Sequence, residues 1–310
     1  MPDWLIEEGI GEVRRALVEG GDIVEATIRL DGAIASGTVI AARLVQAAEP
    51  AIAAAEGVEY LLPKGAPGVT EGAPLTIEIT REAIPGGESW KLPLARVTEA
   101  QVSEPPPLDG RPAKRYELGA AGWDDLIEQA RSGIARFAGG ELRIEPTAAM
   151  TVIDVDGYLA PDELAVRGAA EAAKAIRRLD IGGSIGIDLP TVGSKAVRQQ
   201  AATAIDEQLP QPFERTAING FGFVQIVRPR WRASLIELAQ DRASFEARAL
   251  LRRAAWQAPG TKRLVAHPAI VAVLEARSDW LDALGRLVGG AIGLRADPKL
   301  PMSGGYAENA

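Results

Sequence analysis

The sequence predicts a mixed α+β protein in three parts: an α/β core, a β-barrel ahead of it and a small α/β module behind it. Three observations carry this. Residues 141–188 hold two apolar runs separated by an Ala-rich helical pattern. Such a strand–helix–strand order returns the chain in the same direction and makes the strands parallel neighbours. Residues 33–100 contain short Val/Ile/Leu runs broken by Gly and Pro, the mark of an all-β unit. Beyond Ser234, apolar helical stretches alternate with the strand-like K-R-L-V-A-H and A-I-G-L-R-A-D.

Taken in order, residues 1–32 alternate as a strand followed by a β-hairpin, with Gly20-Gly21 at its turn. Residues 33–102 have the length and strand density of a small five-stranded barrel of the OB type. Residues 103–140 combine a linker, S-E-P-P-P-L-D-G-R-P-A, with an amphipathic helix over 121–138. Consecutive prolines keep that linker extended, and Trp123, Leu126, Ile127, Ala130, Ile134 and Phe137 share one face of the helix. Residues 141–232 form the core, with helices over Pro161–Leu179 and Ser194–Leu209. In the first, Leu164, Val166, Ala170, Ala173 and Ile176 make one buried stripe. A strand pattern spans Thr216–Arg230, where Gly220 and Gly222 suggest a close backbone approach or a bulge. Residues 233–310 begin with a helix over Ser234–Ala258 and finish with the small α/β module, including helices at Ala269–Ala276 and Trp280–Val288.

The chemistry concentrates in the core. The apolar runs Met150–Val155 and Ile185–Leu189 each carry an aspartate near the C-terminal end, Asp154 and Asp188. Parallel strands bring those ends to one edge of a sheet, where open α/β folds place their sites. Two carboxylates meeting there repel unless a cation lies between them, and a hard ion such as Mg2+ suits oxygen donors. A strand-end Asp also serves as a turn former or helix N-cap, so spacing alone leaves both readings open. Further on, R-P-R-W-R places Arg228, Arg230 and Arg232 together. Pro229 keeps the segment extended, so Arg228 and Arg230 are expected on one side, where planar guanidinium groups would suit phosphate; three solvated arginines at a strand end is the plainer reading.

The segments I-E-P-T-A-A-M-T-V-I-D-V-D-G, R-R-L-D-I-G-G-S-I-G-I-D and F-G-F-V-Q-I-V-R-P-R resemble the catalytic core of the ribonuclease E/G family, bacterial endoribonucleases that cut single-stranded RNA with Mg2+. The resemblance implies that Asp154 and Asp188 hold the metal and that hydrolysis leaves 5′-phosphate ends. Asp156 stands where the family typically has Asn, and its extra carboxylate would add a ligand or shift preference toward Mn2+. The resemblance also implies that residues 1–32 pack beside the core, that the barrel binds RNA, and that Lys91, Arg228 and Arg230 occupy basic positions of the family. Departures are visible too. Gly220 replaces a family Arg, and the barrel positions that grip bases are small or aliphatic around Ala53–Ala55 and Leu61, with Tyr60 and Trp90 as neighbouring aromatics. Residues 111–140 are short for the family's 5′-monophosphate sensor, so sensing is expected to be absent or reduced. With no cysteine, the family's zinc link between protomers cannot form, and any homo-oligomer must rest on packing. Two other readings stay open: a non-catalytic RNA-binding or scaffold protein that kept the fold, and a metal-dependent phosphodiesterase with another substrate.

Composition narrows the classes. Apolar content of 47% is that of a folded protein, and the absence of cysteine excludes disulfides and thiolate metal sites. No apolar run has the length of a membrane span, and M-P-D-W-L-I-E-E-G lacks the features of a secretory signal, so the expectation is a cytoplasmic protein. The lone His267 sits among apolar neighbours without a partner for catalysis, and a structural role is expected. Net charge is −8, but unevenly spread: residues 1–110 carry 8 Lys+Arg against 18 Asp+Glu, whereas 191–258 carry 10 against 6. The basic excess thus follows the carboxylate pair, in the half of the chain that would meet a phosphate backbone.

Overall fold

A computed structural model of the chain describes residues 3–85 and 91–309. Strands β1 (Asp3–Glu8), β2 (Glu12–Glu19) and β3 (Asp22–Leu30) form an antiparallel meander. Gly20 and Gly21 both take positive φ at its tight turn, the requirement of a type I′ hairpin. Next come β4 (Val39–Gln46), β5 (Ala51–Ala55), β6 (Val58–Leu62), β7 (Pro74–Arg81) and β8 (Leu94–Val97), which close into a five-stranded barrel in the order β4-β5-β6-β8-β7. The short β9 (Arg111–Pro112) returns to pair with β1 in parallel, followed by α1 (Glu117–Ala120) and α2 (Trp123–Ser132).

The core contains β10 (Ile134–Phe137), β11 (Gly140–Pro146), β12 (Thr151–Gly157), α3 (Pro161–Arg178), β13 (Gly183–Asp188), α4 (Lys195–Gln208), β14 (Glu214–Arg215) and β15 (Phe223–Arg228). Its six-stranded sheet runs β10-β11-β12-β13-β15-β14, with β12 and β13 parallel and every other pair antiparallel. The remainder is α5 (Leu235–Leu238), α6 (Arg242–Ala255), β16 (Lys262–Ala266), α7 (Pro268–Glu275), α8 (Ser278–Val288), β17 (Ile292–Ala296) and β18 (Tyr306–Asn309), the three strands forming a second small sheet. Among the described residues no helix is long and apolar enough to cross a membrane.

Helix α3 lies between the N-terminal meander and the six-stranded sheet. Pro161 opens it, acidic Asp162 and Glu163 sit in its first turn, and Arg177 and Arg178 in its last, all favourable to the helix dipole. Its buried surface is wider than the single stripe expected, because it packs on two sides: Leu164, Ala165, Gly168, Ala169, Ala172, Ala173, Ala175 and Ile176 are all buried, whereas Val166 and Ala170 of that stripe are only half-buried. Small residues allow this closeness. A Cβ on Gly168 would stand 2.3 Å from Val155 Cγ1 on β12. The aliphatic side chains that meet here, including Ile153, Ile185 and Ile187, contribute about 1.5–3 kcal/mol each by burial. A separate core fills the barrel, and a third unites α6–α8 with β16–β18.

Five elements differ from the reading of the sequence. The helix expected over 121–138 stops at Ser132, because Gly133 turns left-handed (φ 70°) against the carbonyl of Ile144; Ile134 and Phe137 therefore lie on strand β10. The strand expected over Thr216–Arg230 is reduced to β15, which pairs back on the preceding β14 through a loop that ends on Gly222. There φ is 94°, and a Cβ would meet Leu189 O at 2.1 Å; Gly220, by contrast, has open space. The helix expected over Ser234–Ala258 divides into α5 and α6, each with its own N-cap: Ser234 with Glu237 as a capping box, and Asp241 accepting from Ser244 N. Strands β9 and β18 are too short and too polar to stand out in sequence, and exist through their partners β1 and β16.

A buried ion network joins the meander to α6. Arg14 donates to Glu7 at 2.7 Å and Glu12 at 2.6 Å, while Arg248 donates to Glu12 at 2.9 Å and Arg252 to Glu7 at 2.8 Å. Gly9 leaves room for the Arg14 guanidinium, since a Cβ there would stand 2.6 Å from Nη1. Three guanidinium groups thus share two carboxylates, with the exposed Asp124 touching Arg252 from the rim at 3.2 Å. Glu12→Gln leaves the positive excess uncompensated and is expected to lower unfolding free energy by about 3–5 kcal/mol. Arg14→Met leaves two arginines facing two glutamates and should cost less. Urea unfolding of the two variants checks the order, and an equal or reversed cost would show that charge balance does not govern the network.

Asp180, just beyond α3, adopts a left-handed φ of 53°. Burial pushes its carboxyl up to about 6; Arg232, 3.8 Å away, and Arg228 oppose that shift, and Glu25 and Glu82 add to it. A carboxyl raised from 3.8 in the unfolded chain binds its proton more tightly when folded. Its contribution to stability is therefore full below about pH 4 and is lost as pH rises through about 6. Asp180→Asn keeps the turn, because Asn also accepts this conformation, and should abolish that decline. Thermal unfolding between pH 4 and 7 tests it; the same pH slope in parent and variant would contradict it.

Candidate active site

The six-stranded sheet is covered on one face only. Ile153 and Val155 of β12, Ile185 and Ile187 of β13, and Val224 and Ile226 of β15 are buried on the helix side. By the two-residue alternation of a strand, Asp154, Asp156 and Asp188 point to the other face. The register makes the meeting direct: Asp154 is the Cα partner of Asp188 in the parallel β12–β13 pair. Adjacent strands stand about 4.8 Å apart, so the two carboxylates begin as immediate neighbours. On the far side of Asp154 the partner is Arg143 of β11, Asp156 is opposite Glu141, and Asp188 is opposite Phe223 of β15. Asp154 is half-buried, while Asp156 and Asp188 are exposed.

The electrostatics follow from this crowding. Burial raises the Asp154 carboxyl above its ordinary range, and the charges of Asp156 and Asp188 raise it further. Arg143 and the backbone N–H of Val155 oppose the rise without cancelling it. Arg143 also donates to Glu141 at 2.8 Å, which divides its charge between two acids. Among the described residues no group of three or more His, Cys, Asp or Glu side chains is arranged to hold a metal ion. Asp154 and Asp188 are the two carboxylates that could share an ion, with Asp156 exerting its charge from two residues along the strand. A pair of hard oxygen donors with uncompensated negative charge fits Mg2+, an ion bound through one or two carboxylates plus water and substrate phosphates.

Local packing explains why this face is flat beside the acids. Gly186 is buried under Phe223 and Met150: a Cβ there would stand 2.7 Å from the Phe223 ring and 3.0 Å from the Met150 sulfur. Gln225 donates to Ser184 across the same pair of strands at 3.0 Å.

The basic residues lie elsewhere. Arg228 shares the parity of Val224 and Ile226, so it turns to the helix-covered face, opposite the acids. It also sits at the far end of β15, beside Gly183, with Nη1 donating to Ile181 O at 2.9 Å; burial lowers its pKa. Arg230 forms an ion pair with the buried Glu237 of α5. A Cβ on Gly182 would stand 2.6 Å from Pro229 O and 3.0 Å from Arg230 Cα, so the Gly182-Gly183 pair lets this segment pass closely. The expectation that Arg228 and Arg230 jointly offer free guanidinium groups to a phosphate is therefore corrected: both serve internal contacts. Lys91 is half-buried in the segment leading into β8 of the barrel. Tyr60 is 2% exposed inside the barrel and cannot present its ring to a base, while Trp90 lies outside the described residues. His267 is the N-cap of α7, its Nδ1 accepting from Ala269 N at 3.2 Å, a structural role. Arg143 was missed in the sequence, although the alternation of E-L-R-I-E-P, with Leu142 and Ile144 buried, marks it for the open face.

A search of curated proteins finds no match. Residues 120–231, which contain α2, the whole six-stranded sheet and both aspartates, match the model of the Ribonuclease E/G family. Over this segment the chain is similar to the Ribonuclease E/G family.

Proposed function

We propose that the protein is a Mg2+-dependent endoribonuclease that cleaves single-stranded RNA and leaves 5′-phosphate ends. The observation that supports this best is the register placing Asp154 directly beside Asp188 on the open face of the sheet. Asp154 and Asp188 would hold the ion, and Asp156 would add negative charge behind it. When bound, the metal supplies a Lewis acid for the scissile phosphate and lowers the pKa of a water nucleophile. The chain's own contribution is rigidity and orientation. Ile153 and Ile187 anchor the two strands from below, so the carboxylates cannot move apart without disturbing the core. Phe223 over Gly186 keeps one flank of the pair apolar, and Arg143 on the other flank is placed to attract a phosphate.

We read the barrel as OB-type, since its strand order is first-second-third-fifth-fourth with closure, and assign it an RNA-contacting role with Lys91 at its edge. Any homo-oligomer would form by packing without a zinc bridge. The alternative, a non-catalytic RNA-binding or scaffold protein, is favoured by one observation: Tyr60, Arg228 and Arg230 are all committed to internal contacts, which weakens the grip on substrate.

End-labelled single-stranded RNA incubated with purified protein, with and without Mg2+, separates the two. Metal-dependent internal cleavage with 5′-phosphate ends is expected. Asp154→Asn and Asp188→Asn should each reduce it by about two orders of magnitude or more, the scale of a lost metal-held electrophile and nucleophile. Near-parent cleavage by both variants would remove the aspartates from the mechanism. Binding without any cleavage by the parent would select the scaffold reading.

A further inference from the structure

The two most exposed aromatic side chains among the described residues both lie at the sheet edge that carries the acids. Tyr158, 87% exposed, follows the end of β12; Phe221, 80% exposed, lies two residues before Phe223, the register partner of Asp188. Strands β12, β13 and β15 are consecutive in the sheet, so these two positions flank the acid pair across about 10 Å. Single exposed apolar residues are ordinary on protein surfaces. Phe221 is set apart by the loop that holds it.

That loop is fixed at nearly every residue. Phe221 N donates to Asn219 Oδ1 at 2.9 Å, and Phe223 N donates to the same oxygen at 3.1 Å. Asn219 N bonds Phe223 O at 3.0 Å, and Gly222 N bonds Asn219 O at 3.2 Å. The loop is also tied to the strand that bears Asp188: Thr191 Oγ1 donates to Phe221 O at 3.0 Å, and Leu189 N donates to Gly222 O at 3.3 Å. The left-handed Gly222, pressed on Leu189 O, lets the two segments approach this closely. A phenyl ring is thus held in solvent by a preorganised loop fastened next to a carboxylate of the site, while the ring itself supports no core.

We propose that Phe221 is a stacking platform for a base of single-stranded RNA, positioning the backbone over Asp154 and Asp188, with Tyr158 flanking the opposite side. This rests on the RNA-cleaving function proposed above and adds the residue that holds the substrate there, a role the buried Tyr60 cannot fill. Stacking accepts any base, so the contact contributes affinity with little sequence preference.

The test compares parent, Phe221→Ala and Phe221→Trp. Equilibrium binding of a short labelled single-stranded oligoribonucleotide, measured in chelator so that nothing is cut, should weaken about five- to 150-fold in the Ala variant. The Trp variant should restore it, and thermal unfolding should be the same in all three. With Mg2+, the Ala variant should raise KM far more than it lowers kcat. Oligonucleotides carrying one abasic residue at successive positions should reveal a position whose base the parent needs and Phe221→Ala ignores. Parent-like binding by the Ala variant, failure of Trp to restore it, or a loss explained by a lower melting temperature would overturn the proposal while RNA cleavage by the parent stood. A parent that neither binds nor cuts RNA would overturn the functional reading itself.

Discussion

The parallel pairing of β12 with β13 is the constraint on which the site depends. Because side chains alternate along a strand, the register that sets Asp154 against Asp188 also sends Ile153 and Ile187 together into the core. A slip of one residue in either strand would send one aspartate under the helices and one isoleucine into water. Hydrophobic burial therefore enforces the juxtaposition of two carboxylates that repel each other. Asp154 bears the cost, its proton affinity raised by burial and by both neighbouring acids.

The rest of the molecule supports that register from several directions. Gly168 brings α3 onto Val155, Gly182-Gly183 admits the R-P-R segment beneath β13, and Gly222 packs the β14–β15 loop against Leu189. The arginines that looked like substrate contacts hold the end of this framework: Arg228 at Ile181, Arg230 at Glu237, Arg232 at Asp180. Further away, the Glu7–Glu12–Arg14 cluster ties the N-terminal meander to α6, so the outer parts of the chain are joined through buried charge as well as apolar packing.

Much of this was legible in sequence because it depends on local patterns. The runs around Asp154 and Asp188, and the Ala-rich stretch between them, gave the parallel strands and the helix. What could not be read depends on contacts between distant segments. Gly133 ends α2 only because Ile144 lies against it, and β18 exists only because β16 offers an edge. The direction of Arg228 was misjudged because extended geometry fixes which side chains share a face but does not say which face the helices cover. The exposure of Phe221 was equally hidden: a Phe in an F-G-F sequence reads as core until the loop that turns it outward is known.

Paramagnetic broadening by Mn2+ in isotopically labelled, RNA-free protein tests the central claim most directly, since it locates a bound divalent ion without relying on activity. The account predicts selective loss of amide signals around Asp154, Asp188 and Phe223, with the barrel strands β4–β8 unaffected and the effect abolished when both aspartates become asparagine. Broadening centred elsewhere, or undiminished in that double variant, would contradict it.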